Sequence, residues 1–251
     1  MLRAVPVIDY YGAKGWGGRP AADLLPRQVV ARDLIARALT GLPGGTVLDV
    51  GCGDGSFLDT VATHVGNPAL HWIGVDYSDH QLAKAAALPH EFHRCDLDQG
   101  IPLPDASADL VYATEVIEHL TDPDLLVDEC ARVLRPGGRL VLTTPNLHAW
   151  FNRLLFPAGI QPVFYETSSR STAVGAGPLR ALKQDTLPVG HLRLFNRRAL
   201  LDLVAQSGLR PELVRGARFH AVPRPLWWLD GLLSRRASLA SILVLQATKP
   251  H

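Results

Sequence analysis

The chain has 251 residues, 47% hydrophobic and 20% charged, with a formal net charge of +1, which excludes a disordered, collagen-like or disulfide-scaffold protein. Its three cysteines, Cys52, Cys95 and Cys130, are too few and too scattered for a disulfide framework and favour a reducing compartment. No apolar run reaches the roughly 20 residues that span a bilayer, and the first residues do not form a targeting peptide, so we expect a cytoplasmic protein.

In the first 145 residues the pattern of apolar residues, glycines and prolines predicts alternating strands and helices. A Gly-rich and aromatic loop over 10–19 precedes a helix over 22–39, which ends at a cluster of glycines. Strand–helix alternation is typical of βαβ units, and it predicts an α/β fold with a doubly wound, mostly parallel sheet. The predicted strands cover 46–50, 70–75, 91–95, 108–114 and 139–144, and the predicted helices cover 56–64, 79–88 and 123–134.

The remaining residues begin without regular periodicity. Prolines and glycines interrupt residues 146–190, and a stretch of this length without secondary structure predicts a functional lid. The segment 223–234 contains Trp227 and Trp228, which we expect in the core or a dimer contact, in preference to a membrane surface. Regular structure returns as a helix over 197–207 and strands over 213–221 and 239–248.

The loop after the first strand contains three glycines in the pattern G-x-G-x-G. Gly51, Gly53 and Gly55 would let a ligand approach the backbone at the carboxyl edge of the sheet. A dinucleotide fingerprint needs a third glycine where this chain has Ser56. Asp49 beneath the loop would repel a pyrophosphate and favour a cationic or amine-bearing ligand. Asp76, at the end of the second strand, is placed to accept hydrogen bonds from ribose hydroxyls of a nucleoside.

Six motifs together resemble those of class I S-adenosylmethionine-dependent methyltransferases. The similarity covers about residues 40–145 and is greatest to the subgroup of ubiquinone-biosynthesis O-methyltransferases and bacterial small-molecule methyltransferases. The motifs follow the family's order: VLDVGCGDG at 47–55, GVDYS at 74–78, CDL at 95–97, IPLP at 101–104, DLV at 109–111 and LRPGG at 134–138.

The resemblance implies an architecture for the whole chain. A Rossmann-like methyltransferase fold has seven strands, of which the last is antiparallel, and here it would carry a lid insertion after the fifth strand. The expected single domain spans 1–251. It is divided into an N-terminal lid and helix (1–40), a cofactor-binding core (41–145), a substrate lid (146–195) and a completion of the sheet (196–251).

The resemblance also implies which residues bind S-adenosylmethionine. Asp49 and Gly51 would contact the methionine part, and Asp76 would hold the ribose. Tyr77 would lie on the adenine, while Asp96 would accept a hydrogen bond from its amino group. The full expected cofactor set is Asp49, Gly51, Gly53, Gly55, Asp76, Tyr77, Asp96, Leu97, Glu115 and Arg27, the last by a loose match to an arginine that meets the cofactor carboxylate.

Two histidines are candidates for the base that methyl transfer to a hydroxyl needs. His148 follows the fifth strand, and His191 lies in GHLRLF at 190–195, before the helix over 197–207. We predict no metal. The alternative is a divalent ion on Glu115, Glu118 and His119, helped by His148 or His191, as in some related enzymes. Tyr10, Tyr11 and Trp16 would close over the sulfonium through cation–π contact or, as an alternative, pack on the first helix. In the first case Tyr11 and Trp16 are expected to contact the substrate as well.

Charge is divided unevenly along the chain. Residues 1–145 carry 11 Lys/Arg against 19 Asp/Glu, a net of −8, whereas residues 146–251 carry 14 against 5, a net of +9. The basic part predicts an anionic acceptor held by Arg193. The alternative is that the basic part of one subunit meets the acidic part of another.

We therefore expect an S-adenosylmethionine-dependent methyltransferase that modifies a small molecule, most readily at oxygen. The acceptor would be an anionic, sugar or secondary-metabolite compound. One alternative is an RNA-directed or metal-dependent 2′-O-type methyltransferase; another is a cofactor-binding scaffold without methyl transfer. We expect a monomer or homodimer, and neither a nucleic acid nor a membrane as partner.

Overall fold

The structure is a computed structural model, and it describes residues 24–183 and 188–251. The helices are α1 Pro26–Leu39, α2 Ser56–Val65, α3 Asp79–Ala85, α4 Pro123–Val133, α5 Trp150–Leu155, α6 Arg197–Gln206 and α7 Trp227–Leu233. The strands are β1 Gly45–Val50, β2 Leu70–Asp76, β3 Glu91–Arg94, β4 Ala108–Thr114, β5 Leu134–Pro145, β6 Arg210–Ala217 and β7 Ile242–Thr248. Short 3₁₀ helices cover Ile117–His119, Gly177–Lys183 and Arg224–Leu226.

The strands form one seven-stranded sheet in the order β3-β2-β1-β4-β5-β7-β6. Strands β1 to β5 pair in parallel, and β7 runs antiparallel to both β5 and β6. The chain moves outward from β1 to β3 and then crosses to the other side of β1 with β4. This reversal leaves a crevice between the carboxyl ends of β1 and β4, where ligands bind in open α/β sheets.

Each face of the sheet is covered by helices through its own apolar core. On one face, α4 and α6 pack on side chains such as Leu48 and Val50. On the other, α1 and α2 pack on Val47, Tyr112 and Val244. The side chains of β1 alternate between the two cores, as the period of a strand requires. The predicted doubly wound α/β fold with an antiparallel last strand is thus confirmed.

The boundaries of several elements differ from the prediction. β5 begins at Leu134, which pairs with Ala108, and so includes the PGG turn that we expected to precede it. The predicted strands over 213–221 and 239–248 appear as β6 and β7, with β6 starting earlier and β7 later. The short helices α5 and α7 lie in segments whose aromatic and glycine content gave no clear helical period.

The two tryptophans of α7 lie on the surface, so the expected place in the core is wrong and the alternative, a dimer contact, stays a prediction. Trp228 is 69% exposed and Trp227 is 43% exposed. In the described ranges 24–183 and 188–251, no helix combines the length and the hydrophobicity that crossing a membrane requires. The division of the chain into an N-terminal lid, core, substrate lid and sheet completion stays a prediction.

Candidate functional site

A cavity of about 1770 Å³ opens at the carboxyl edge of the parallel strands. The loops after β1, β2 and β4 form one wall, and residues of the 150–192 and 219–226 segments form the opposite wall. The cavity therefore occupies the crevice at the reversal of strand order, where ligand binding is expected.

The glycine loop after β1 presents its backbone to this cavity. Gly53 donates its N–H to Oδ2 of Asp76 at 2.9 Å. A Cβ on Gly51 would lie 2.5 Å from Cγ2 of Val116, and a Cβ on Gly55 would lie 2.7 Å from the Phe92 ring. Gly51 and Gly53 line the cavity, whereas Gly55 is not among its lining residues and packs under Phe92.

Asp49 is buried and is not one of the residues that line the cavity. Burial raises the pKa of its carboxyl well above the ordinary value, the adjacent Tyr112 hydroxyl lowers that pKa, and Asp76 raises it further. Asp49 therefore lies behind the surface of the cavity, beside Tyr112, and its predicted contact with the methionine part stays a prediction.

Asp76 and its neighbours form the wall beside β2. Its Oδ1 accepts the N–H of Ser78 at 2.8 Å, which together with the Gly53 bond fixes the carboxylate at the cavity edge. Tyr77 lies in the lining under the guanidinium of Arg94, whose Cζ is 4.9 Å from the ring centroid. Asp96 and Leu97 complete this wall, as the sequence predicts for a nucleoside site.

An ion pair crosses the floor of the cavity. Nε of Arg27 lies 3.1 Å from Oε2 of Glu115, and both side chains are mostly buried. Oε1 of Glu115 accepts the hydroxyl proton of Thr143 at 2.9 Å. Glu115 has a φ of 59°, which is rare for a residue other than glycine and typical of functional sites. The sequence motif alone gave no reason to expect this pairing.

Two histidines and a buried glutamate meet near the end of β4. The ligand atoms of Glu118, His119 and His191 all lie within 4.8 Å of one another. Oε2 of Glu118 accepts from Thr144, while Oε1 has no hydrogen-bond partner among the described residues. This trio could hold a metal ion. The metal set predicted as an alternative was Glu115, Glu118 and His119. In the structure His191 takes the place of Glu115, whose carboxylate is paired with Arg27.

Backbone carbonyls fix the orientation of both rings. Nδ1 of His191 lies 2.9 Å from the carbonyl oxygen of Phe164, and Nδ1 of His119 lies 3.1 Å from that of Gly190. A carbonyl only accepts, so each Nδ1 carries a proton and Nε2 is the basic atom of the neutral ring. Burial, followed by the nearby His191, lowers the pKa of His119 to about 4. Burial, followed by Glu115, raises the pKa of Glu118.

Glu166 joins two parts of the segment that faces the sheet. Its carboxylate accepts the backbone N–H groups of Val189, Gly190 and His191 at 2.7, 2.7 and 3.1 Å. A carboxylate that accepts three N–H groups holds its partners firmly. Glu166 therefore fixes the backbone of His191. The sequence analysis included Glu166 only in the net charge, because the residues around it form no motif that would predict a structural role.

Several predicted residues lie elsewhere. His148 lines a separate surface depression with Arg153, Arg197 and Arg198, and it is not in the cavity lining. Arg193 is exposed, donates to the carbonyl oxygen of Thr121 at 3.0 Å and does not line the cavity either. Tyr10, Tyr11 and Trp16 lie outside the described residues.

The donor set matches a cationic nucleoside. Carboxylates in the lining outnumber the guanidinium groups, which are Arg27 and Arg94 among the described residues, and Arg27 is already paired with Glu115. A Cβ on Gly53 would meet nothing within 4 Å, so the loop backbone stands against open cavity. An acidic cavity with an exposed backbone loop and a fixed ribose-type acceptor fits S-adenosylmethionine, and the opposite apolar wall leaves room for a second molecule.

Comparison with known proteins also indicates a methyltransferase. A family profile described as "Methyltransferase domain" matches residues 26–214. A probable S-adenosylmethionine-dependent methyltransferase of Mycolicibacterium smegmatis is 43% identical over 107 residues, 41% of this chain and 39% of that protein. The 27-O-demethylrifamycin SV methyltransferase of Amycolatopsis mediterranei is 29% identical over 205 residues, 78% of this chain and 64% of that protein.

The solved structure of the [4+2]-cyclase SpnF has the same fold. It superposes with a TM-score of 0.59 at 20% identity and covers 98% of this chain and 92% of its own. The matched region spans about 39% of the length of the first curated relative and 64% of the rifamycin enzyme.

Proposed function

Because the chain belongs to the S-adenosylmethionine-dependent methyltransferases, we propose that it transfers a methyl group to a hydroxyl oxygen of a large, mostly apolar small molecule. The observation that carries this proposal is the position of His191. Its Nε2 is the basic atom of a ring that lines the same cavity as the Asp76 carboxylate. A base and a nucleoside site that share one cavity suit methyl transfer to a hydroxyl.

The first wall of the cavity would hold the cofactor. Asp76 would accept hydrogen bonds from the ribose, Tyr77 and Leu97 would cover the adenine, and Asp96 would accept from its amino group. The Glu115–Arg27 pair would meet the amino acid part. When bound, the cofactor supplies an electrophilic methyl on a sulfonium. The protein then has to align the acceptor, exclude water and remove the hydroxyl proton.

The apolar wall supports a hydrophobic acceptor. Aliphatic and aromatic side chains of two regions form this wall. One region is α5 with the segment after it, and the other is the segment after β6 with its 3₁₀ helix. The name of the rifamycin relative describes a methyltransferase of a 27-O-demethyl compound, which supports oxygen as the methyl acceptor. An anionic acceptor has less support, because Arg193, the arginine predicted to hold it, does not line the cavity. The apolar lining includes Leu154, Leu155, Val163, Phe164, Phe219 and Leu226.

Proton removal would fall to His191. The Phe164 carbonyl sets its tautomer and Glu166 holds its backbone. The ring of His119 stands 5.0 Å away, centroid to centroid, and its pKa of about 4 leaves it uncharged at neutral pH. Glu166 is in this account a positioning residue.

A labelled-methyl screen tests the function. The protein is incubated with tritiated S-adenosylmethionine and a panel of macrolactone hydroxyls, prenylated catechols, sugar nucleotides and short RNAs. We expect label in an organic-extractable phenol or alcohol. Transfer to RNA alone would select the RNA-directed alternative. Tight binding of S-adenosylhomocysteine without transfer to any acceptor would favour a scaffold.

Removing the carboxylate of Asp76 should weaken cofactor binding. We expect Asp76→Ala to reduce the affinity for S-adenosylhomocysteine by about 1–3 kcal/mol, because a charge-assisted acceptor is lost. Calorimetric titration measures the change. Asp202→Ala, on the exposed surface of α6, is the control and should bind normally. Equal affinities for wild type and Asp76→Ala would contradict the assigned ribose site.

A second candidate is metal-assisted O-methyl transfer. It is favoured by the buried Oε1 of Glu118, which accepts no hydrogen bond from the part of the chain that the structure describes and lies near His119 and His191. Two imidazoles and a carboxylate suit a borderline divalent ion with open coordination positions. In this version His191 would be a ligand and the acceptor oxygen would be activated by the ion.

Chelation separates the two candidates. We expect turnover to survive dialysis against EDTA, because a sulfonium methyl needs alignment and a base but no Lewis acid. Turnover is measured before dialysis, after dialysis, and after addition of Mg²⁺, Mn²⁺ or Zn²⁺. Loss on chelation with recovery on metal addition would establish the second candidate instead.

A further inference from the structure

An apolar surface lies beside the opening of the cavity. Trp228 and Leu232 on α7 are 69% and 51% exposed, and Leu154 and Phe156 at the end of α5 are 67% and 73% exposed. We use the term apolar face for six side chains: Leu154, Phe156, Leu226, Trp227, Trp228 and Leu232. Exposed aromatic and aliphatic groups in such number mark an interaction surface.

The two helices that carry the apolar face are fixed to each other. The indole N–H of Trp150 on α5 donates to Oδ1 of the buried Asp230 on α7 at 2.9 Å. Arg153 donates to the carbonyl oxygen of Ser238 at 2.9 Å. Leu154 and Leu226 are both exposed and both line the cavity. The apolar face therefore borders the cavity opening.

Within residues 218–238, which carry most of the apolar face, every exposed Asp, Glu, Lys or Arg side chain is an arginine. Residues 218–238 contain one acid, Asp230, which is buried and accepts hydrogen bonds. A depression beside Ser238 is lined by further basic groups, Arg153, Arg197 and Arg198 with His148. These groups account for much of the net charge of +9 carried by residues 146–251, whose arginines do not line the cavity. The arginines of the segment, all exposed, are Arg218, Arg224, Arg235 and Arg236.

We propose that the apolar face docks the protein on an anionic lipid bilayer. Tryptophan and leucine enter the boundary between headgroups and acyl chains, while arginines beside them meet lipid phosphates. From the sequence we expected no membrane partner and placed Trp227 and Trp228 in the core or a dimer contact, in preference to a membrane surface. Docking on a bilayer surface needs no spanning segment.

The same charges disfavour two other occupants. A twofold contact with a second copy would bring the arginines against one another. The first 23 residues of the chain carry three Lys/Arg and two Asp/Glu and so offer no complementary charge. Docking also turns the cavity opening toward the lipid, so an apolar acceptor would enter without crossing water. This last consequence rests on the proposed function, but the docking does not.

Vesicle binding tests the proposal without any acceptor or cofactor. The full chain is floated with vesicles of phosphatidylcholine, with or without phosphatidylglycerol, at low and high salt. We expect binding only to the anionic vesicles and release at high salt. The double variant Arg235→Ser/Arg236→Ser should reduce the partition coefficient about 25-fold, or about fivefold for each arginine. Trp228→Ser should also reduce binding, and Trp228→Phe should retain more of it.

A matched charge control lies at the other edge of the sheet. Arg37 lies in the last turn of α1 and Arg210 begins β6, and both are exposed. The double variant Arg37→Ser/Arg210→Ser should bind vesicles like the wild type, and thermal melts should show that every variant is folded.

Three results would overturn the proposal. The first is no binding to anionic vesicles at low salt, and the second is equal loss in the two double arginine variants. The third is a dimer that Trp228→Ser dissociates while vesicle binding is absent, which would assign the apolar face to a second copy.

Discussion

Replacing His191 with glutamine should lower kcat by about 10²–10⁴-fold, the usual contribution of a general base. Glutamine can still donate a hydrogen bond to the Phe164 carbonyl, and the backbone N–H remains with Glu166. The change therefore removes the basic nitrogen with little change of local structure. Turnover is measured with the acceptor that the labelled-methyl screen identifies, and S-adenosylhomocysteine affinity should stay near the wild-type value.

His148→Gln is the matched control for this variant. His148 was an equal candidate in the sequence, but it lies in the surface depression beside Arg153 and outside the cavity lining. We expect its kcat to be unchanged. A large loss in His148→Gln with none in His191→Gln would mean that the acceptor enters from that depression, and the proposed acceptor wall would be wrong.

The existence and order of the first five strands could be predicted from the sequence, because the signals that mark each strand are local. Short apolar strands, glycine turns and helical periods determine β1 to β5 one after another, and the family motifs supply the order. The boundaries of β5, β6 and β7 were less accurate, because long-range pairing decides them: β5 starts where Leu134 pairs with Ala108, and β6 starts where Arg210 pairs with Thr248. No local pattern of residues encodes that register.

That Asp76, Tyr77, Asp96 and Leu97 line one cavity was predictable for the same reason, since they follow strands that end at one edge of the sheet. Their role toward the cofactor stays a prediction. The residues of the opposite, apolar wall, where the acceptor is proposed to bind, were not predictable from the sequence. Whether His148 or His191 faces the cavity depends on a long segment without periodicity. The contacts that fix His191, from Glu166 and the Phe164 carbonyl, join residues some 25 positions apart. The charge excess was visible in the sequence, but its location on the surface was not.

Gly53→Leu should abolish detectable binding of S-adenosylhomocysteine. Gly53 has a φ of 56°, lines the cavity, and a Cβ there would meet nothing within 4 Å. The new side chain would fill the open space beside Asp76 that the cofactor is proposed to occupy. The positive φ adds strain of about 1–2 kcal/mol, which should lower Tm by a few degrees.

Gly208→Leu separates this steric effect from backbone strain. Gly208 has a φ of 77°, its Cβ would also meet nothing within 4 Å, and it lies in the exposed turn between α6 and β6. Both variants should lose similar thermal stability, but only Gly53→Leu should lose cofactor binding in a calorimetric titration. If both variants bind equally well, the open space at Gly53 is not part of the cofactor site. If both lose binding, strain elsewhere in the fold is enough to disrupt the cavity, and the glycine loop has no special role.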